Sequence, residues 1–482
     1  MSIDQGTTNT KAILVGAGGD VFAAGSAPVG VTSPHPGWVE QDADRIWTSV
    51  IEAVGGCLAG VDVQIVGLAL STQRETVVGW QASTGEPVGP VIGWQDRRSA
   101  DWCAEALNAD ARRLVRERTA LRVDPMFSAP KMAWVLDHLP IGIPVEDVRL
   151  GTVDSWLIWR LTAGREHLTE AGNASRTLLY DISALSWSDD LLAIFGVPPS
   201  VLPRPVASDH GFGATSGLPG VPDGTPILSV LADSHAALYG HGCTEVGQAK
   251  ATYGTGSSVM TAVPTLPQGS SAVPATLAWV RGDTPTYALE GNVLSSGATL
   301  TWAAELLTGG RVVDLIAEAD SVDDNAGVTL VPAFSGLGAP HWDRGAQALI
   351  SGLTTTTRRG HVARAAVESI AHQICDIVDV IEQATGPLKV FRADGGATAS
   401  QLVVQTQADL LGHDVEVSEV AEVSALGAAK LAWEVLGERS RWPRENRAKV
   451  VRSRLDPDTR IRRRRNWATE VARARFPSSE GS

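Results

Sequence analysis

The chain has 482 residues, 44% of them hydrophobic and 20% charged, and a formal net charge of −14. That length exceeds what one hydrophobic core serves, so two large domains are expected. The acidic balance argues against general nucleic-acid binding, and no apolar run approaches the roughly 20 residues that span a membrane. The start Met1-Ser2-Ile3-Asp4 has neither a basic segment nor an apolar one of secretory type, so a cytoplasmic protein is expected. Residues 3–35 read as strands joined by tight turns, with Gly18-Gly19-Asp20 between Ala12-Ile13-Leu14-Val15 and Val21-Phe22-Ala23-Ala24. Asp42 to Leu58 reads as a helix, Ile46, Val50 and Val54 sharing a face and Asp42 as its N-cap. Ile65 to Leu70 reads as a buried strand that runs into Ser71-Thr72-Gln73-Arg74-Glu75-Thr76. The Gly-, Pro- and Ser-rich segment from Leu202 to Pro226 reads as irregular, and the apolar run from Ile227 to Leu231 leads to Asp233. Ala249 to Tyr253 reads as a strand entering the turn Gly254-Thr255-Gly256. A long helix is expected near 360–385, with Val362, Ala366, Ile370, Ile374, Val378 and Ile381 on one face and Gly386-Pro387 at its end. A further strand then leads into Asp394-Gly395-Gly396. Arg462-Arg463-Arg464-Arg465 reads as the solvated face of a C-terminal helix capped around Pro457-Asp458-Thr459. The alternation of strands and helices indicates an α/β chain, divided here into residues 1–242 and 243–482. Cys57, Cys103, Cys243 and Cys375 are scattered without metal-ligand spacing and read as free thiols.

Two features carry chemistry. Arg74 and Glu75 put a strong donor beside an acceptor at a strand's carboxyl end, where α/β enzymes hold ligands, and vicinal hydroxyls need both. A surface ion pair is the plain alternative for that dipeptide taken alone. The second feature is a set of three Gly-rich turns after strands: Asp4-Gln5-Gly6-Thr7-Thr8-Asn9-Thr10-Lys11, Tyr253-Gly254-Thr255-Gly256 and Asp394-Gly395-Gly396-Ala397. Glycine lets the backbone approach a phosphate and aim N–H groups at it, threonines add donors, and Lys11 adds charge. Asp4 suits Mg²⁺, which keeps much of its hydration shell. Each turn alone is an ordinary loop; the three together point to a nucleotide. Neither GxxxxGK[ST] nor a strand-linked GxGxxG with a following acid is present.

These motifs resemble the FGGY carbohydrate kinases, and among them the glycerol kinases. The resemblance runs nearly end to end, through Asp4-Gln5-Gly6-Thr7-Thr8, Pro36-Gly37-Trp38-Val39-Glu40-Gln41-Asp42, Gln73-Arg74-Glu75-Thr76 and Trp94-Gln95-Asp96-Arg97-Arg98. It continues through Gly151-Thr152-Val153-Asp154-Ser155-Trp156, Asn173-Ala174-Ser175-Arg176-Thr177, Gly336-Leu337-Gly338-Ala339-Pro340-His341-Trp342-Asp343 and Asp394-Gly395-Gly396. It implies an actin-like ATPase fold of two ribonuclease-H-like domains with a cleft between them, the first holding the polyol and the second ATP. It implies Asp233 as catalytic base and, with Asp4, as a carboxylate for Mg²⁺. Arg74, Glu75, Trp94 and Asp233 match the glycerol-binding set. Thr7, Thr8, Asn9 and Lys11 match the first phosphate loop and Thr255 the second. Gly297 and Thr301 fall where the family contacts nucleotide, and Gly396 and Ser400 at the adenosine end, where the family more often has asparagine in place of Ser400. The implied partner is a small polyol or sugar, with a homodimer as the assembly considered.

Three acceptor positions depart from the glycerol pattern. Met126 stands where glycerol kinases have tyrosine, Ser234 where they have glutamine, and Ser258 where they have phenylalanine. Losing an aromatic wall and a phenol leaves room for a longer acceptor. Glycerol is the leading expectation. The alternative is a longer polyol or sugar, such as erythritol, a pentitol or xylulose. Glu75 weighs against a ketose, whose carbonyl has no proton to give a carboxylate. A catalytically silent actin-like sensor is the third reading, disfavoured by the presence of both Asp4 and Asp233. The family's regulatory sugar-phosphate loop carries a Gly-Gly-Thr-Arg pattern, whereas Val221-Pro222-Asp223-Gly224-Thr225-Pro226 lacks the second glycine and the arginine. No anionic effector is expected there.

Overall fold

The computed structural model describes residues 1–266, 272–420, 422–438, 442 and 448–475. The chain packs as two compact units. The first comprises Met1–Gly242, Thr276–Tyr287 and Glu422–Arg444, and the second comprises Cys243–Ala275, Ala288–Ala421 and Glu445–Ser482.

The first unit is built on a five-stranded mixed sheet in the order Ile227–Ala232, Leu68–Thr72, Ser2–Gln5, Asn9–Val15, Val21–Pro28. The first three strands run parallel, and each of the last two is antiparallel to the strand before it. Leu68–Thr72 is buried at all five positions, as a central strand covered on both faces must be. The buried strand expected at Ile65–Leu70 is thus displaced toward the C-terminus. Pairing decides this, because Ser2 stands opposite Ala69 and Asp4 opposite Ser71, while Val66 lies outside the ladder and is exposed. The shift brings two polar residues, Ser71 and Thr72, into the core strand.

Helix Ala43–Leu58 covers one face through Ile46, Val50, Ala53 and Val54, and Asp42 caps it by accepting from the Arg45 N–H at 2.7 Å. It lies so close that a Cβ on Gly25 would stand 2.2 Å from the Ala53 carbonyl oxygen. Helix Val423–Val435 packs Ala425 and Ala429 against Ile13 and Val15, and Ala428 and Ala432 against Ala69. The small residues at Gly240 and Gly427 let that helix touch the backbone of helix Asp233–Gly240, with no space for a side chain at either glycine. A second sheet of four strands joins Glu40–Gln41, Val91–Ile92, Val77–Gln81 and Val148–Thr152. Within Leu202–Pro226 only the short strand Arg204–Val206 is regular.

The second unit repeats the plan. Strand Gln248–Tyr253 is antiparallel to Ser257–Val263 and parallel to Val390–Asp394, with Thr252 opposite both Ser258 and Asp394. Val415–Ser418 and Ala448–Val451 extend the sheet. Helix Arg359–Thr385 buries Val367, Ile370, Ile374, Val378 and Ile381 and ends at Gly386, whose φ is 86°. Helix Pro457–Ala474 begins after Asp456, which accepts from the Thr459 N–H at 2.9 Å. Its arginine run is not wholly solvated. Arg464 donates to Asp376 at 2.6 Å and Asp379 at 2.8 Å, and Arg463 lies 3.4 Å from Glu368. Acidic residues on the facing helix Arg359–Thr385 hold two of the four arginines. The four cysteines are free and buried. No described helix is long and apolar enough to cross a membrane.

Candidate active site

In the first unit the three parallel strands end side by side. Asp4, Ser71 and Leu231 share a register row, so the residues that follow converge at one sheet edge: Gln5-Gly6, Gln73-Arg74-Glu75 and Asp233. Asp4 accepts from the Ser71 hydroxyl at 2.7 Å. Burial, assisted by the nearby Asp233 charge, pushes the Asp4 carboxyl up to about 6. Arg74 Nε lies 3.4 Å from Asp233 Oδ1 and 4.0 Å from Glu75 Oε1, so one guanidinium serves both carboxylates. Asp233 opens helix Asp233–Gly240 and accepts from the Ser234 N–H at 2.6 Å. The helix starts at Asp233, with Ala232 at the cap position. A carboxylate in a helix's first turn is stabilised by the dipole.

Glu75 is placed by an unusual backbone. Its φ is 61°, and the Thr76 N–H closes on the Arg74 carbonyl at 2.7 Å. That turn sends the side chain inward, where Arg176 Nε donates to Oε1 at 2.7 Å; the two side chains are 5% and 3% exposed. Glu75 is therefore not the free acceptor that the sequence suggested. A buried arginine 101 residues away already holds one of its oxygens. Ser128 donates to the Glu75 carbonyl at 3.0 Å.

The first glycine turn is fastened to this edge by buried amides. Gln73 Nε2 donates to Gln5 Oε1 and Gln41 Oε1, both at 3.0 Å, and Gln41 Nε2 donates to the Thr7 carbonyl at 2.8 Å. Thr7 Oγ1 accepts from Trp94 Nε1 at 2.9 Å and contacts Gln73 Oε1 at 3.4 Å. Its hydroxyl is thus engaged within the protein, while Thr8 and Asn9 are exposed on the turn. Trp94 is tied at its indole N–H and, through its backbone N–H, to Thr76 Oγ1, and remains 36% exposed. Lys11, expected at a phosphate, lies 3.6 Å from Glu422. Met126 is half-buried against the cluster containing Phe127 and Met132.

In the second unit the turn Gly254-Thr255-Gly256 is closed by the Gly254 N–H on the Gly256 carbonyl at 2.9 Å. The start of helix Gly297–Thr308 docks on it. Gly297 N–H donates to the Gly254 carbonyl at 3.0 Å, and a Cβ there would stand 2.6 Å from that oxygen. Thr255 and Thr301 are exposed, and the Thr301 hydroxyl bonds back to the Gly297 carbonyl at 3.2 Å. Gly395, at φ 98°, lies against Tyr253, whereas a Cβ at Gly396 would meet open space. The Ser400 hydroxyl accepts from the Val403 N–H at 3.4 Å and caps helix Gln401–Leu411, so it is occupied locally. Ser258 Oγ donates to Glu290 Oε1 at 3.2 Å, a carboxylate that is 2% exposed.

The described residues contain no cluster of three or more His, Cys, Asp or Glu able to cage a metal. The paired carboxylates of Asp4 and Asp233 instead suit a cation that keeps most of its water, as Mg²⁺ does.

The model for the FGGY family of carbohydrate kinases, N-terminal domain, matches residues 1–240, and the C-terminal domain model matches residues 249–433. The chain belongs to the FGGY family. It is 41% identical over 489 residues to apulose kinase of Pectobacterium atrosepticum, covering 99% of this chain and 98% of that one. It is 43% identical over 486 residues to glycerol kinase of Alkalilimnicola ehrlichii, covering 98% of each. Among solved structures, Plasmodium falciparum glycerol kinase with ADP superposes at a TM-score of 0.90, with 30% identity and 98% and 97% coverage. Xylulose kinase from Rhodospirillum rubrum gives 0.84 at 25% identity, with 98% coverage of each chain. This FGGY kinase thus has the α/β actin-like ATPase fold and is a glycerol kinase-like phosphotransferase acting on carbohydrate. Sequence reasoning assigned no role to Arg176 or to Gln5, Gln41 and Gln73. Each lies inside a quoted motif, yet only burial and pairing distinguish it from its neighbours.

Proposed function

We propose that this FGGY kinase transfers the γ-phosphoryl group of ATP to a primary hydroxyl of a small polyol or sugar. In this reading the first unit takes the acceptor and the second the nucleotide, and glycerol is the first acceptor to test. The observation that carries it is the 3.4 Å pair of Arg74 with Asp233 where three parallel strands end. Asp233 accepts the proton of the attacking hydroxyl. Arg74 donates to acceptor hydroxyls while holding that carboxylate in place, and the exposed face of Trp94 covers the carbon chain. Asp4 and Asp233 would hold Mg²⁺ through water; bound there, it neutralises charge on the phosphates. Thr8, Asn9, Thr255, Thr301 and Gly396 are the open positions for phosphate and adenosine. Thr7, Gly297 and Ser400 contribute by shaping the backbone. The test is acceptor-dependent ADP release across glycerol, erythritol, pentitols, xylulose and apulose; no release with any of them sinks the reading.

A second reading, an acceptor longer than glycerol, is supported by Ser258. Its hydroxyl is paired with a buried carboxylate at the position where glycerol kinases have a phenylalanine wall, giving that position hydrogen-bonding character. The objection to ketoses also weakens, since Arg176 already occupies an oxygen of Glu75.

A further inference from the structure

Lys131 is a lysine with no exposed surface, on helix Ser128–Asp137. Burying an ammonium is costly, and such groups persist where geometry needs them. Burial pulls Lys131 down to about 7, against the opposing pull of Glu75, Asp96, Asp124 and Cys103. Its Nζ donates to the Met126 carbonyl at 2.6 Å and to the Gly93 carbonyl at 3.3 Å. The first carbonyl belongs to one residue of the proposed acceptor wall, and the second immediately precedes the other, Trp94. Three residues earlier on the same helix, Ser128 donates to the carbonyl of Glu75 at 3.0 Å. One helical turn therefore fastens the backbone of three chain segments, those of Glu75, Trp94 and Met126, through carbonyl oxygens and without using their side chains.

We propose that Lys131 is a positioning residue for the acceptor: by holding the Gly93 and Met126 carbonyls on one nitrogen it sets the spacing between Trp94 and Met126, and so the length of carbon chain the site accepts. This rests on the reading of Trp94 and Met126 as acceptor walls.

The experiment compares Lys131→Met, which keeps the length and removes the donors, with the native enzyme, using an acceptor that the native enzyme phosphorylates. The expected result is an acceptor KM raised tenfold or more, with ATP KM within twofold, kcat within threefold, and ADP affinity by calorimetry unchanged. Combining Lys131→Met with Met126→Ala should raise acceptor KM by less than the product of the single effects, because the two act through one wall. If Lys131→Met does not fold, Lys131→Gln, which retains one donor group, should show an intermediate rise in acceptor KM. Equal losses in acceptor and ATP parameters, or effects that multiply, overturn the inference and make Lys131 a structural residue. A native enzyme that uses no acceptor overturns the functional reading and this inference with it. A working native enzyme whose acceptor KM is untouched by Lys131→Met overturns this inference alone.

Discussion

Asp233 and Arg74 form a pair whose members are expected to fail differently. Asp233→Asn keeps an oxygen for the Ser234 N–H and nearly the same volume, but an amide cannot take a hydroxyl proton. Turnover should fall by roughly 10²–10⁴-fold with ADP affinity unchanged, as read by steady-state rates and calorimetry. Near-native turnover would remove Asp233 from the mechanism. Arg74→Ala should raise acceptor KM by the equivalent of about 1.5–3 kcal/mol, the worth of a hydrogen bond to a charged group, and leave ATP KM alone. Glu75→Ala should do something Arg74→Ala does not. It breaks a buried pair with Arg176, so the urea midpoint should also drop, by the equivalent of about 3–5 kcal/mol. If both variants lose acceptor affinity without any loss of stability, the Glu75–Arg176 pair is not what anchors that turn.

Strands and loops carry their own consequences. Glu170 ends strand Leu168–Glu170 and, fully buried, accepts from Ser208 Oγ at 2.6 Å and the Asn173 N–H at 2.8 Å. Burial pushes its carboxyl up to about 8, and Asp154 adds to the shift. The native state then keeps a proton that the unfolded chain releases near an ordinary glutamate's 4.5. The stabilising effect is complete below that value and is lost as pH rises through about 8. Melting temperatures of the native protein should therefore fall from pH 5 to 9, and Glu170→Gln should flatten that slope. Equal slopes in both proteins would contradict the shift. The loop containing Asp223 makes a different point. Its amides are turned inward, Gly224 N–H to the Thr215 carbonyl at 2.9 Å and Thr225 N–H to Thr215 Oγ1 at 3.1 Å, and Asp223 accepts from the Gly217 N–H. With no arginine and those donors occupied, fructose 1,6-bisphosphate should not inhibit; saturable inhibition at low concentration would demand another basic site.

At the scale of the whole molecule the question is which acceptor the enzyme selects. Glycerol should be turned over but weakly gripped, and erythritol should match or exceed it in kcat/KM. One methylene discriminates by only about 1–3 kcal/mol, so the expected preference is modest. Ser258→Phe combined with Met126→Tyr should move the preference back toward glycerol. A native preference for glycerol of a hundredfold or more would mean that both substitutions are neutral.

The sequence alone determined the fold class, the helix at 43–58 with its Asp42 cap, the long helix ended by Gly386, and the placing of Arg74 and of Asp233 each just after an apolar strand. These follow from local periodicity, capping chemistry and apolar runs, which neighbouring residues express without tertiary help. The tertiary structure decided the register that moved the central strand to Leu68–Thr72, because a ladder is set by its partner. It also decided which polar groups are occupied. Arg176 on Glu75, Trp94 on Thr7, Glu422 on Lys11 and the carboxylates beneath Arg464 are all pairs distant in sequence. The sequence named the donors and acceptors, but only burial chose their partners.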